Sequence, residues 1–380
     1  GDVYKRQVID GTMYFRGNAS TITGAELWKT DGISTTMVKD IFPGTNSSRP
    51  DLLTNVNGTL FFTATDGVNG AELWKSDGTG AGTVMVKDIT TANNINTNVP
   101  TLLTNVNGIL FFIGYTVASH YELWKSDGTE AGTIMVKDIL PGSGSGSIPT
   151  GLINNNGTLL FSYGAGGLWK SDGTEAGTVL IKAFSFFTEY ATLTAMPGHV
   201  VFYSATPPTS NNELWITNGN IAGTHLLKNI AVDNPASLYS RSGFAHVAER
   251  FAHANGRLFF SAKNTVAENH SLYSTFGTPA TTIKLDGQSG FSKFFPSEAV
   301  NAGGYIYYAY SNIPSNGELW KSDGTAAGTV MVKEIRPGSF GSFPANMFNI
   351  NGIVYFTADD GTNGNELWKS DGTAAGTVLV

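Results

Sequence analysis

A pattern of the form Glu-Leu-Trp-Lys-Ser-Asp-Gly-Thr recurs along this chain and constrains its fold more than any other feature. All seven tryptophans occupy one place in it, Trp28, Trp74, Trp124, Trp169, Trp215, Trp320 and Trp368, each preceded by Leu. An eighth, worn copy sets Tyr273 there, after Leu272. Successive intervals are 46, 50, 45, 46, 58, 47 and 48 residues. Such a period is too short for an independent domain and suits a four-stranded unit that buries its faces against neighbours.

The second copy shows the unit. Leu52 to Val56 is a short apolar strand, and Asn57-Gly58 turns it into Thr59 to Ala64, where Leu60-Phe61-Phe62 implies burial on both faces. Asp66-Gly67-Val68-Asn69-Gly70 turns the chain into Ala71 to Ser76, and Asp77-Gly78 opens the turn into Val84 to Ile89. If Ser76 faces Thr83, then Trp74 faces Met85 and Glu72 faces Lys87, an opposite-charge pair. Glu122 with Lys137, Glu213 with Lys228 and Glu318 with Lys333 repeat that 15-residue interval. Glu26 to Lys39 and Ser271 to Lys284 are 13 apart, which implies hairpins two residues shorter with every side chain still on its face.

Each such sheet presents two apolar faces, so neighbours must cover them, with Trp and its Met or Leu partner as the wedge. The expectation is an all-β chain, a β-propeller of four-stranded antiparallel blades, eight in number; seven blades or part of a longer array are the alternatives. With 46 glycines and only 14% charged residues, the composition agrees with short strands joined by tight turns. The first seven residues, Gly1 to Gln7, read like a translated sequencing adapter and are set aside. Residues 8–380 are then expected to form one repeat-built propeller, irregular in its sixth copy at about 231–290 and truncated at both ends, with Val380 inside a repeat.

The units Glu72 to Thr79 and Glu122 to Thr129, each followed by Ala-Gly-Thr and Val-Lys-Asp-Ile, resemble the ELWxxDGT repeat family of exported bacterial proteins. The resemblance covers nearly the whole chain. It implies a secreted or cell-surface protein without an established activity. Copy five departs from it with Asn218-Gly219-Asn220, and copy six keeps only Leu272-Tyr273 and Gly277-Thr278.

A net charge of −7 from scattered acids argues against nucleic acid as a partner. No apolar run reaches a membrane-spanning length, the longest lying near Ile109 to Ile113. The absence of cysteine excludes thiolate metal sites, thiol nucleophiles and disulfides.

A residue repeated in seven copies answers a structural demand met seven times, so Trp, Glu, Lys and Asp-Gly read as scaffold, and function belongs where copies differ. Arg241, His246, Glu249 and Arg250 lie in the insertion behind the 58-residue interval, either a pocket or a solvated loop. The histidines, including His246, His253 and His270, show no metal-binding spacing. Asp66 and Asn69, with Asp359, Asp360 and Asn363, place oxygens at spacings that suit a weakly held calcium ion, although Gly and Asn are also what a tight hairpin wants. No other cofactor is indicated. The linkers Phe42 to Pro50, Thr90 to Pro100, Leu140 to Pro149 and Arg336 to Pro344 belong on one rim with the second-to-third-strand loops. Their small polar residues suit glycans or peptides, and Phe340 and Phe343 are among the few aromatic platforms. The reading is a monomeric, non-catalytic binding or scaffold module of a larger extracellular or cell-surface protein, recognising glycan or protein. A carbohydrate-active hydrolase or lyase and a ligandless spacer are the alternatives.

Overall fold

The computed structural model describes residues 6–18, 23–89, 100–139, 141, 148–163, 167–184, 193–204, 213–229, 252–262, 271–285, 299–311 and 317–380. Every regular element in them is a β-strand, and the strands form eight four-stranded antiparallel sheets, each an up-and-down meander. The fold is a β-propeller with eight blades, at 6–39, 51–87, 101–137, 149–182, 194–228, 252–284, 300–333 and 345–379. The chain divides into two compact units, residues 1–183 with blades one to four and 184–380 with blades five to eight.

Blade two shows why these residues make these elements. Its strands are Asp51–Val56, Thr59–Thr65, Ala71–Ser76 and Val84–Lys87. Asn57 and Gly58 have φ of 51° and 85°, the left-handed pair that a two-residue hairpin needs to match strand twist. Trp74 lies opposite Phe62 on one side and Met85 on the other, as the hairpin spacing requires. The Ser76 and Thr83 hydroxyls are 2.7 Å apart across the closing turn.

Successive side chains of the second strand serve different seams. Leu60, Phe62 and Trp74 pack with Ile9, Leu27 and Val38 of blade one. Phe61, Leu73 and Val86 pack with Leu110, Phe112 and Trp124 of blade three. The same alternation places Trp169 against Phe111 and Leu123 of blade three in the first unit. In the second unit it places Tyr273 against Leu214 and Ile216, Trp320 against Leu272, and Trp368 against Leu319 and Val332. In the motifs Leu73-Trp74, Leu123-Trp124, Leu272-Tyr273 and Leu319-Trp320 the Leu thus seals one seam and the Trp or Tyr the other, at roughly 1.5 to 3 kcal/mol per large side chain buried. Within each unit, first strands of successive blades lie against one another, those of blades one to four in the first unit and six to eight in the second.

The expected Glu–Lys facing pair is corrected. The register slips by one residue between Leu73 and Trp74, so Leu73, not Glu72, lies opposite Lys87. The same bulge sets Lys39 opposite Leu27, Lys137 opposite Leu123, Lys228 opposite Leu214 and Lys333 opposite Leu319. A bulge leaves two residues on one strand facing one on the other, and in blade two the extra residue, Val86, lies on the fourth strand. The sixth hairpin is also not shortened. Tyr273 pairs with Lys284 at the spacing by which Trp74 pairs with Met85, and Thr275 meets Thr282 as Ser76 meets Thr83. Only the hairpin of blade one is two residues shorter, with Trp28 opposite Met37. At the other end of that blade, the first strand spans Arg6–Ile9, so Arg6 and Gln7, set aside in the sequence, pair with Phe15 and Tyr14.

Candidate functional site

In blade two the side chains of Glu72, Lys75, Ser76, Asp77 and Thr79 each have an internal partner, which decides where a ligand can act. Glu26, Glu72, Glu122 and Glu318 are almost fully buried, and each accepts a backbone N–H from the linker beyond its blade's fourth strand. The donors are Ile41, Ile89, Ile139 and Ile335, at 2.9, 3.0, 3.1 and 2.8 Å. Glu26 also accepts from the Ser48 amide and hydroxyl, and Glu318 from the amides of Arg336 and Ser342 and the Ser342 hydroxyl. Burial pushes the Glu26 carboxyl above its usual range, against the opposing pull of the Ser48 and Ile41 donors.

The motif lysines reach the next blade. Lys29, Lys75, Lys125 and Lys321 donate to the carbonyls of Gly78, Gly128, Gly173 and Gly372, in the next blade's Asp-Gly turn. The fourth-strand lysines Lys39, Lys87, Lys137, Lys228 and Lys333 hold the Thr carbonyl closing the same loop. Blade six has Ser274 in place of the motif lysine, and there Ser274 and Arg257 together donate to the Gly324 carbonyl. The motif aspartate closes its own turn: Asp77 accepts from the amide and hydroxyl of Thr79, and these bonds hold its carboxyl below the usual range.

The linkers after blades one and seven each meet the end of the next blade's second strand, where its second-to-third-strand loop begins, whereas the linkers Thr90 to Pro100 and Leu140 to Pro149 lie largely outside the described residues. Thr65 donates its amide to the Ser48 carbonyl, and Asp359 donates its amide to that of Ser342. Two linkers are fully described, residues 40–50 and 334–344, and their frames match. Arg49 and Phe343, each before a proline, are left-handed at φ 51° and 47°, and donate their amides to Ala25 and Gly317. Phe42 and Arg336 hold corresponding places, lying over Gly67 and Gly361, where a Cβ would collide with the ring or sit 2.9 Å from the Arg336 Nε.

On that shared frame the seventh-to-eighth linker carries side chains the first lacks. Phe340 is 63% and Phe343 55% exposed. The Arg336 guanidinium lies 5.5 Å from the Phe340 ring centre and pairs with Asp359, which also accepts the Gly361 amide. Both partners stay partly open, at 28% and 33% side-chain exposure.

No family model matches the chain, and no curated protein matches it. Solved structures similar to it include a puromycin hydrolase, 14% identical with a TM-score of 0.41, over 88% of this chain and 54% of that one. The computationally designed Ika8 protein is 12% identical with a TM-score of 0.46, over 96% and 94% of the two chains. The β-propeller domain of the Trilobed protease from Pyrococcus furiosus is 14% identical with a TM-score of 0.37, over 84% and 93%. The chain spans about half the length of the hydrolase. Likeness at this level carries no argument about activity.

The remaining sequence candidates divide by position. Arg241, His246, Glu249 and Arg250 lie outside the described residues. The Asp66 carboxylate accepts the amides of Val68 and Asn69 and the Asn69 side-chain amide, and Asp360 does the same with Thr362 and Asn363. Burial alone would raise Asp66, but the Asn69 and Val68 donors bring it below the usual range. These oxygens are engaged in closing turns, and among the described residues no three His, Asp or Glu converge. Sequence reasoning missed the buried glutamates as linker anchors; the signal was the Ser at positions 48 and 342, shared by both linkers.

Proposed function

We propose that this chain is a non-catalytic binding module of an exported or cell-surface bacterial protein, meeting glycan or protein ligands with its fourth-to-first-strand linkers and second-to-third-strand loops. One observation carries the reading: the motif's Glu, Lys, Ser and Asp each have a partner within the blade or the next one. The repeat is occupied with holding blades together and anchoring linkers. Ligand contact then falls to residues that differ between copies, and Phe340, Phe343 and Arg336 are of that kind.

A catalytic reading needs two or more ionisable groups converging on a cleft with matched proton affinities. The buried glutamates face backbone N–H groups instead. A glycan and protein array run beside a hydrolysis screen tests the proposal. Specific capture without turnover supports it, turnover of any arrayed glycan overturns it, and silence in both favours a spacer.

A further inference from the structure

We infer that the seventh-to-eighth linker forms a sugar-binding site for a neutral pyranose unit, stacked on Phe340 and hydrogen-bonded by the Arg336–Asp359 pair; this rests on the binding reading above. The loop is held in advance. Glu318 accepts four hydrogen bonds from Ile335, Arg336 and Ser342, and Phe343 donates its amide to Gly317. Phe343 is kept left-handed at φ 47°, a conformation that costs a bulky side chain energy and persists where the surroundings impose it. A loop already ordered loses little entropy on binding.

The chemistry of the patch selects the ligand class. Phe340 offers an exposed ring, which suits the C–H face of a pyranose. Beside it, Arg336 supplies N–H donors and Asp359 carboxylate acceptors, both partly open. Vicinal hydroxyls each donate and accept, so one sugar edge satisfies both groups. A carboxylate or phosphate ligand would compete with Asp359 for a guanidinium already neutralised, in a chain of net charge −7. A wholly apolar peptide would cover the ring but desolvate the ion pair without replacing its water contacts, an unfavourable exchange.

The corresponding linker of blade one gives an internal comparison. It has Phe42 where Arg336 stands and Asn46 where Phe340 stands, with the same Glu and Ser anchoring. The frame is common, and the ring with its ion pair is particular to the later linker.

Isothermal titration of the whole chain with cellohexaose, mannohexaose and chitohexaose tests this, alongside Phe340→Ala, Arg336→Gln and Asp359→Asn. At least one hexaose should bind the wild type, and Phe340→Ala should weaken it by about tenfold or more with an unchanged melting temperature, because that ring is exposed. Arg336→Gln and Asp359→Asn should weaken it similarly. A hexaose that binds wild type and Phe340→Ala alike overturns this site while leaving a binding module elsewhere on the loops. Binding of arrayed proteins but of no hexaose also overturns the site and keeps the broader reading, whereas no binding of any kind overturns both.

Discussion

The Lys75 Nζ donates to the Gly128 carbonyl 2.8 Å away, joining the third strand of blade two to the closing turn of blade three. Its equivalents recur at Lys29, Lys125 and Lys321. The bond converts a motif residue into a blade-to-blade tether and explains why Lys follows Trp. Lys75→Met keeps the aliphatic stem over the seam but leaves the Gly128 carbonyl without this donor. It should cost about 1 to 2 kcal/mol in urea unfolding. An unchanged midpoint would mean that the tether adds nothing.

Trp74 fills the seam between blades one and two. Trp74→Ala should cost about 3 to 5 kcal/mol, as large core truncations do, and Trp74→Phe distinctly less. Equal costs would show that packing volume is not what the indole contributes.

Glu318 is an anchor for backbone donors. Glu318→Ala should therefore speed hydrogen exchange at the amides of Ile335, Arg336 and Ser342, while amides of the Val330–Lys333 strand stay protected. Uniform loss of protection through blade seven would instead make Glu318 a general core residue.

The turn aspartates Asp77, Asp127 and Asp172 are held below their usual range, first by the Thr hydroxyl and then by the Thr amide. A carboxyl whose folded value is lowered contributes fully above its unfolded value, near 4, and loses that contribution as pH falls through the folded one. Glu26 runs the other way: with its folded value raised by burial, its contribution is complete in acid and lost as pH rises through that value. Replacing the three aspartates by Asn should shrink the fall in melting temperature between about pH 6 and pH 3. Asn218, which accepts the Asn220 amide at 3.2 Å in copy five, shows that the turn tolerates the change.

Leu102 sits at φ 56° beside a bulge in the first strand of blade three, where blade four has Gly151 at φ 63°. A left-handed L-residue costs roughly 1 to 2 kcal/mol, while glycine loses roughly 0.5 to 1 kcal/mol more backbone entropy. Leu102 is partly exposed, so Leu102→Gly should leave stability unchanged or raise it by up to about 1 kcal/mol. Marked destabilisation would show that its side chain packs more than its exposure suggests.

Much of this architecture was legible because its signals are local. The spacing of Trp74 and Met85, the Asn57-Gly58 turn and the unbroken Leu60-Phe61-Phe62 run each specify strand, turn or burial within a few residues. The bulge between Leu73 and Trp74 was not legible, since two-residue periodicity assumes an unbroken ladder. The role of Glu72 was hidden because its partner is a backbone amide 17 residues away, and backbone groups carry no residue signature. Blade six looked shortened because Lys284 invited alignment with Lys87, whereas it stands where Met85 does. At the linkers, Phe340 and Phe343 were visible as aromatics, but the Arg336–Asp359 pair joins a linker residue to the end of the next blade's second strand and appears only in three dimensions.

The central claim is that the motif tryptophans are wedges between consecutive sheets. Acrylamide quenching of tryptophan emission in the native chain tests it most directly. Trp74, Trp124, Trp215 and Trp368 are each less than 9% exposed, so the account predicts blue-shifted emission with most of the intensity protected. Red-shifted emission, quenched as freely as in the unfolded chain, would contradict it.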